Sequence, residues 1–345
     1  MNVAPPPGAS PANRPRLVPQ AQHGPTRESP APAPARAAGA KHPAETASVA
    51  ASVATFARMV KLSHTVFALP FALAAAALAA RGVGLPPGRL AGIVVAMVGA
   101  RTAAMGFNRL VDRHIDARNP RTAGRELPRG AVSVRAAWAL TAVSAAIFVG
   151  AAAYLGPLCL TLAPVALLLL FGYSLTKRFT ALCHLFLGLA IAAGPAGAWI
   201  AVRGDFTRVP GLLVLAVACW IGGFDVLYSL SDREFDRAAG LHSIPGRFGV
   251  GGALLASAGL HVVTIVALAA LGPIAALGLP YWLGVGAVTA LLVWEHAIVR
   301  PDDLSRLDVA FFNLNGYVSV IFLLATLADV FHLADRLLGR PILGG

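Results

Sequence analysis

Charged side chains are scarce in this chain: Asp, Glu, Lys and Arg together make up 13% of its 345 residues. Soluble domains carry about 25%, so a water-soluble globular fold is excluded for most of the sequence. Cysteine is nearly absent as well. Cys159, Cys183 and Cys219 stand singly in apolar runs, and an odd count without CxxC spacing excludes a disulfide framework or a zinc site. They read as small core residues. Acidic residues are few, 16 against 28 Lys and Arg, leaving a net charge of +12. That excess does not read as nucleic-acid binding, because the cations cluster in short loops between apolar runs, where they mark topology and phosphate binding.

What the chain does have is apolar length. It is 57% hydrophobic, with a mean hydropathy of +0.70. Residues 1–54 are Ala/Pro-rich with no apolar core and no continuous hydrophobic stretch before a cleavage site. They read as a disordered cytoplasmic tail rather than a signal peptide. A short C-terminal tail is expected over 333–345. Between them, apolar runs recur at about 20 residues, the length that spans a bilayer. Spans are expected near 62–81, 90–111, 134–154, 157–176, 180–202, 210–231, 251–271, 279–298 and 308–330, with one double-length run turned at Gly156-Pro157 and the other broken at Gly272-Pro273 and again near Gly278 and Pro280. The fold expected over 55–332 is therefore an all-α, polytopic membrane bundle of nine transmembrane helices. Arg and Lys concentrate in alternate loops: Arg58 and Lys61, six Arg between Arg113 and Arg135, Lys177 and Arg178, Arg233 to Arg247, and Arg300 with Arg306. By the positive-inside rule those loops and the N-terminus are cytoplasmic.

Two helix ends on that side carry acidic residues at four-residue spacing: Asn108, Asp112 and Asp116, then Asp232 and Asp236, with Asp225 and Tyr228 upstream. Steps of four return to one helical face, about 40° off each time. Carboxylates are poorly placed at helix C-termini, where the macrodipole is already negative, so two such sets invite a cation, and hard oxygen donors suit Mg²⁺. The bland alternative is that Asp112, Asp116, Asp232 and Asp236 pair with nearby Arg113, Arg118, Arg233 and Arg237 as solvated loop charges. Asp225 is the sharpest case, since it interrupts an otherwise apolar span; as part of one helix it would share a face with Asp232. Arg121 and Arg125, in a loop stiffened by Pro120 and Pro128, and Lys177 with Arg178 at another helix end, are cations suited to diphosphate. A solvated loop and a topogenic pair are the respective alternatives. His242 reads as a loop histidine or an acid–base group. His64, Asn313 and Asn315 either face a cavity or make helix-packing hydrogen bonds.

NRLVDRHID and DVLYSLSDREFD together resemble the paired acidic motifs of the UbiA superfamily of intramembrane prenyltransferases. NPRTAGRELPRG and YSLTKRFT resemble that family's Arg-Thr loop, with Glu126 where Pro is usual, and its Lys-Arg segment. AFFNLNGYVSVIFLL resembles its last helix. The matches run in family order from about residue 58 to 330. The resemblance implies helices around a central cavity that binds Mg²⁺ and a polyprenyl diphosphate at the cytoplasmic end, in a bacterial inner membrane. It implies Asp112, Asp116, Asp232 and Asp236 as metal ligands, and Asn108, Arg121, Arg125, Lys177 and Arg178 around the diphosphate. Asp225 and Tyr228 would line the pocket near the reacting carbon, with Asp112 and Asp232 also catalytic.

The acceptor implied is an aromatic acid of the 4-hydroxybenzoate type, in ubiquinone-type biosynthesis. The usual first-helix signature of such members is missing from Lys61–Phe67, and SHTVFALPFAL looks more like the subgroup that makes menaquinone through futalosine. A naphthoate-type acceptor is therefore a serious rival, and haem O synthase fits less well. An ion-coupled secondary transporter is a distant alternative, because transporters place ionisable groups near the bilayer midplane on broken helices, whereas these lie toward one face.

Overall fold

The computed structural model describes residues 55–56, 58–59, 65–307 and 309–331. The expected tails over 1–54 and 333–345, together with Lys61 and His64, lie outside the described residues. Ten α-helices follow in order: α1 Thr65–Ala80, α2 Pro87–Arg118, α3 Val134–Leu155, α4 Pro157–Thr176, α5 Cys183–Arg203, α6 Arg208–Tyr228, the short α7 Arg233–Ala238, α8 Ile244–Ile274, α9 Leu279–Ile298 and α10 Asn315–Val330. A 3₁₀ turn, Ser229–Asp232, joins α6 to α7, and a π-helical turn, Val309–Leu314, leads into α10. Each of the nine expected spans overlaps a helix. Among the described residues eight stretches are long and apolar enough to cross a membrane, and a ninth apolar helix, α1, is shorter. The fold is a polytopic membrane bundle.

Helix ends follow local chemistry. Gly156, at φ 141°, turns the chain and Pro157 opens α4, as expected for a proline whose missing N–H is unneeded in the first turn. The second break falls at the later of its two expected places, near Gly278 and Pro280 rather than at Gly272-Pro273: α8 runs to Ile274 and α9 opens at Leu279. A proline in the last turn removes only one hydrogen bond, so the helix closes just past it. Gly249, at φ 72°, breaks the first part of α8 where the sequence leads out of the polar loop.

Adjacent helices pack as α2 on α3, α5 on α6, α6 on α8, and α10 on both α9 and α1. Small residues permit these crossings. A methyl group at Gly188 would stand 2.1 Å from the Ala218 carbonyl oxygen, so α5 and α6 approach to backbone contact. The core is aromatic at its centre: Phe71 stacks on Phe322 with ring centroids 4.6 Å apart and lies 4.9 Å from Trp220. Asn315 resolves to helix packing. Fully buried, it donates to Glu295 Oε1 at 3.0 Å and Ala310 O at 2.9 Å, and accepts from Trp220 Nε1 at 2.6 Å. Asn313 is exposed.

Candidate active site

The polar end of the bundle gathers the C-terminus of α2, the loop over 119–133, the end of α4 and the α6–α7 junction. The first acidic row sits on unbroken helix. Asp112 and Asp116 are buried, at 1% and 4% exposure, and a buried carboxylate must find donors or cations. Asp112 has both: Lys177 Nζ at 2.7 Å, Arg178 Nη2 at 3.0 Å, and Asn108 Nδ2 at 3.3 Å. Asn108 also reaches Ser174 Oγ at 3.3 Å. Arg125 Nη1 lies 2.7 and 2.8 Å from the two oxygens of Asp116.

The second row is not on one helix, which corrects the expectation that Asp225 and Asp232 share a face. α6 ends at Tyr228, and the 3₁₀ turn intervenes before α7. Two serines make that turn. Ser229 Oγ donates to Val226 O at 2.8 Å and Ser231 Oγ to Tyr228 O at 2.7 Å, the local side-chain bonding that competes with an α-helical ladder. A 3₁₀ turn advances roughly 120° per residue instead of 100°, so Asp232 swings away from Asp225. Asp225 instead meets His184 on α5, Nδ1 to Oδ2 at 2.7 Å. Asp232 faces the 119–133 loop: Arg121 Nε donates to its Oδ1 at 2.8 Å and Arg121 Nη2 to its Oδ2, and Asn119 Nδ2 donates at 2.9 Å. Arg121 Nη1 also donates to the Tyr228 hydroxyl at 3.0 Å. Asp236 lies on α7.

One loop therefore links the two rows, with Arg121 on Asp232 and Arg125, four residues on, on Asp116. Arg121 shows how strongly the site favours charge. Burial lowers its basicity, yet the hydrogen bond and attraction from Asp232, with Tyr228 and Asp116 adding to them, hold its guanidinium above the ordinary value. The salt bridges of Asp112, Asp116 and Asp232 among the described residues run to Lys177, Arg178, Arg125 and Arg121, not to the sequence neighbours Arg113, Arg118 and Arg233. His242 is an exposed loop residue whose backbone N–H donates to Lys177 O at 2.7 Å. Two partners escaped the sequence reading. Asn119 stood inside a quoted motif, and His184 was signalled only by being a lone polar side chain at the start of an apolar span.

Among the described residues, no three His, Cys, Asp or Glu side chains stand close enough to form a ready metal cage. Mg²⁺ does not require one, since it keeps waters and is commonly held through one or two carboxylates plus substrate phosphates. The donor chemistry on both rows, carboxylate oxygen without thiolate, fits that ion.

Next to this end lies a cavity of about 490 Å³, set among α2 to α5 and lined by Ile93, Ala100, Met105, Phe148, Leu170 and Tyr173 among others. Tyr173 adjoins Ser174, the partner of Asn108, so the cavity starts beside the first acidic row. From Met105 to Ile93 it follows α2 for about 18 Å.

A model of the UbiA prenyltransferase family matches residues 68–317. The chain belongs to that family. A 4-hydroxybenzoate octaprenyltransferase of Aeromonas hydrophila is 33% identical over 229 residues, covering 66% of this chain and 79% of that relative. The Vibrio cholerae protein of the same name is 32% identical over 253 residues, covering 72% and 87%. Among solved structures, a UbiA homologue from Aeropyrum pernix superimposes with a TM-score of 0.71 at 34% identity, covering 77% of this chain and 98% of that one. One from Archaeoglobus fulgidus, bound to GPP and Mg²⁺, shares the fold with a TM-score of 0.60 at 18% identity, covering 80% and 99%.

Proposed function

We propose that this chain transfers a polyprenyl group from its diphosphate to the ring of 4-hydroxybenzoate, with Mg²⁺, at the cytoplasmic face of a bacterial inner membrane. The observation that carries this reading is the pairing of Asp112, Asp116 and Asp232 with Lys177, Arg178, Arg125 and Arg121 at one end of the bundle. Such a paired set, with four cations to three carboxylates, is suited to partner exchange. When a diphosphate enters, the cations turn to its oxygens and the carboxylates are released to the metal. Asp112, Asp116, Asp232 and Asp236 would hold Mg²⁺, which, when bound, neutralises charge growing on the leaving diphosphate. Asn108 orients Asp112, and Arg121, Arg125, Lys177 and Arg178 grip the leaving group, stabilising the charge that develops as the C–O bond breaks.

The apolar cavity receives the isoprenoid and keeps water from the allylic cation. Asp225 and Tyr228 would stand near the reacting carbon. The relatives named for 4-hydroxybenzoate favour that acceptor over a naphthoate-type one, and the Arg-rich loops favour the cytoplasmic orientation.

Purified protein in detergent, given Mg²⁺, radiolabelled polyprenyl diphosphate and a panel of aromatic acids, tests this reading. A product with the mass of prenylated 4-hydroxybenzoate is expected. Product from a naphthoate acceptor alone would overturn the substrate, and no covalent product at all would overturn the reaction and favour a transporter.

A further inference from the structure

Asp225, the first residue of the second acidic motif, forms a dyad with His184. Asp225 lies in the last turn of α6, one turn before Tyr228 on the same face, and Tyr228 contacts Arg121 of the diphosphate end. His184 lies in the first turn of α5. The ring is buried, at 3% exposure, whereas the Asp225 side chain is 25% exposed, so the carboxylate looks into open space from a closed wall.

The tautomer follows from the partners. Ile244, the first residue of α8, has one of the helix's unsatisfied N–H groups, and it donates to His184 Nε2 at 3.3 Å. An acceptor nitrogen has no proton, so the neutral ring holds its proton on Nδ1 and donates it to Asp225 Oδ2 at 2.7 Å. Among the described residues Oδ1 of Asp225 accepts no hydrogen bond. A carboxylate fixed through one oxygen by an oriented imidazole, with the other free, is the arrangement of a positioned general base.

We propose that Asp225 takes the ring proton of the aromatic acceptor and that His184 is the positioning residue that aims it. The proposal rests on the prenyl-transfer reading above. The allylic C–O bond breaks and its electron pair leaves with the diphosphate. A ring π pair forms the new C–C bond to the prenyl carbon. The ring C–H bond then breaks, its pair restores aromaticity, and the proton passes to Asp225 Oδ1, which later yields it to water at the open end. His184 neither gains nor loses a proton in the cycle; it keeps Oδ1 turned to the ring.

The test compares 4-hydroxybenzoate with its form deuterated on the ring carbons beside the hydroxyl, using full-length protein, geranyl diphosphate and Mg²⁺. Wild type is expected to show no isotope effect on kcat. Asp225→Asn should lose about 10²-fold or more in kcat and acquire a primary isotope effect. His184→Ala should lose about tenfold, acquire the same effect and keep its KM for geranyl diphosphate, while His184→Asn, which retains a donor near the Nδ1 position, should recover most of the rate. If His184→Ala fails to insert, His184→Gln replaces it with the same expectation. Variants that are slow with no isotope effect, or that change only thermal stability or KM, would overturn the dyad and leave prenyl transfer standing. Absence of product from wild type would overturn both.

Discussion

The two acidic rows look alike in sequence and differ in construction. The first rides a continuous helix, and the side chain of Asp112 is 2% exposed between Lys177 and Arg178. The second straddles a helix end, a 3₁₀ turn and a six-residue helix, and the Asp232 side chain is 17% exposed to a loop arginine. Asp112 is thus an anchor held from the end of α4, whereas Asp232 is adjustable: it sits on a tight turn rather than a helix, and its partners Arg121 and Asn119 come from the 119–133 loop, which also reaches Asp116 through Arg125. A site that binds, reacts and releases a charged leaving group needs one wall that stays and one that gives.

Removing either wall should have the largest effect. Asp112→Ala and Asp232→Ala are each expected to lower Mg²⁺-dependent turnover by about 10³-fold, with membrane insertion and helical circular dichroism unchanged. Asp112→Ala should also lower thermal stability, since it leaves two cations without their carboxylate, whereas Asp232→Ala should barely move it. Equal stability losses would break the contrast between anchor and adjustable wall, and wild-type rates in either variant would defeat the metal-site assignment.

A smaller effect is expected at the loop. Arg121→Lys keeps the charge but loses the fork that spans Asp232 and Tyr228, and should raise KM for the prenyl diphosphate about tenfold. Tyr228→Phe, which removes only the hydroxyl acceptor for Arg121, should cost about 1 kcal/mol in kcat/KM. Steady-state kinetics on both variants check this order; a larger loss from Tyr228→Phe would assign the tyrosine a role beyond holding Arg121. Smallest of all, deleting residues 1–50 should leave turnover within about twofold of the full chain, and an inactive truncation would show that the tail belongs to the enzyme.

The bundle was largely legible because bilayer spans announce themselves by apolar length, and the polar end by where Arg collects. Local rules failed at the α6–α7 junction. Four-residue spacing implied one helical face, but Ser229 and Ser231 tighten the backbone and turn Asp232 from α5 toward the loop, a side-chain effect that spacing cannot register. Pairing was also illegible. The sequence offered Arg113 and Arg233 as neighbours of the carboxylates, whereas packing brings Lys177 and Arg178 from just past the end of α4 and Arg121 from the loop. His184 was invisible for the same reason, since its meaning depends on Asp225, 41 residues away.

The central claim is that both rows hold one magnesium diphosphate between them. A double-mutant cycle measures this most directly: the Kd of geranyl diphosphate in Mg²⁺, without acceptor, for wild type, Asp112→Asn, Asp232→Asn and the double variant. Shared ligation predicts strong coupling, above about 1 kcal/mol, with the double variant little worse than either single one. Independent losses that simply add would contradict it.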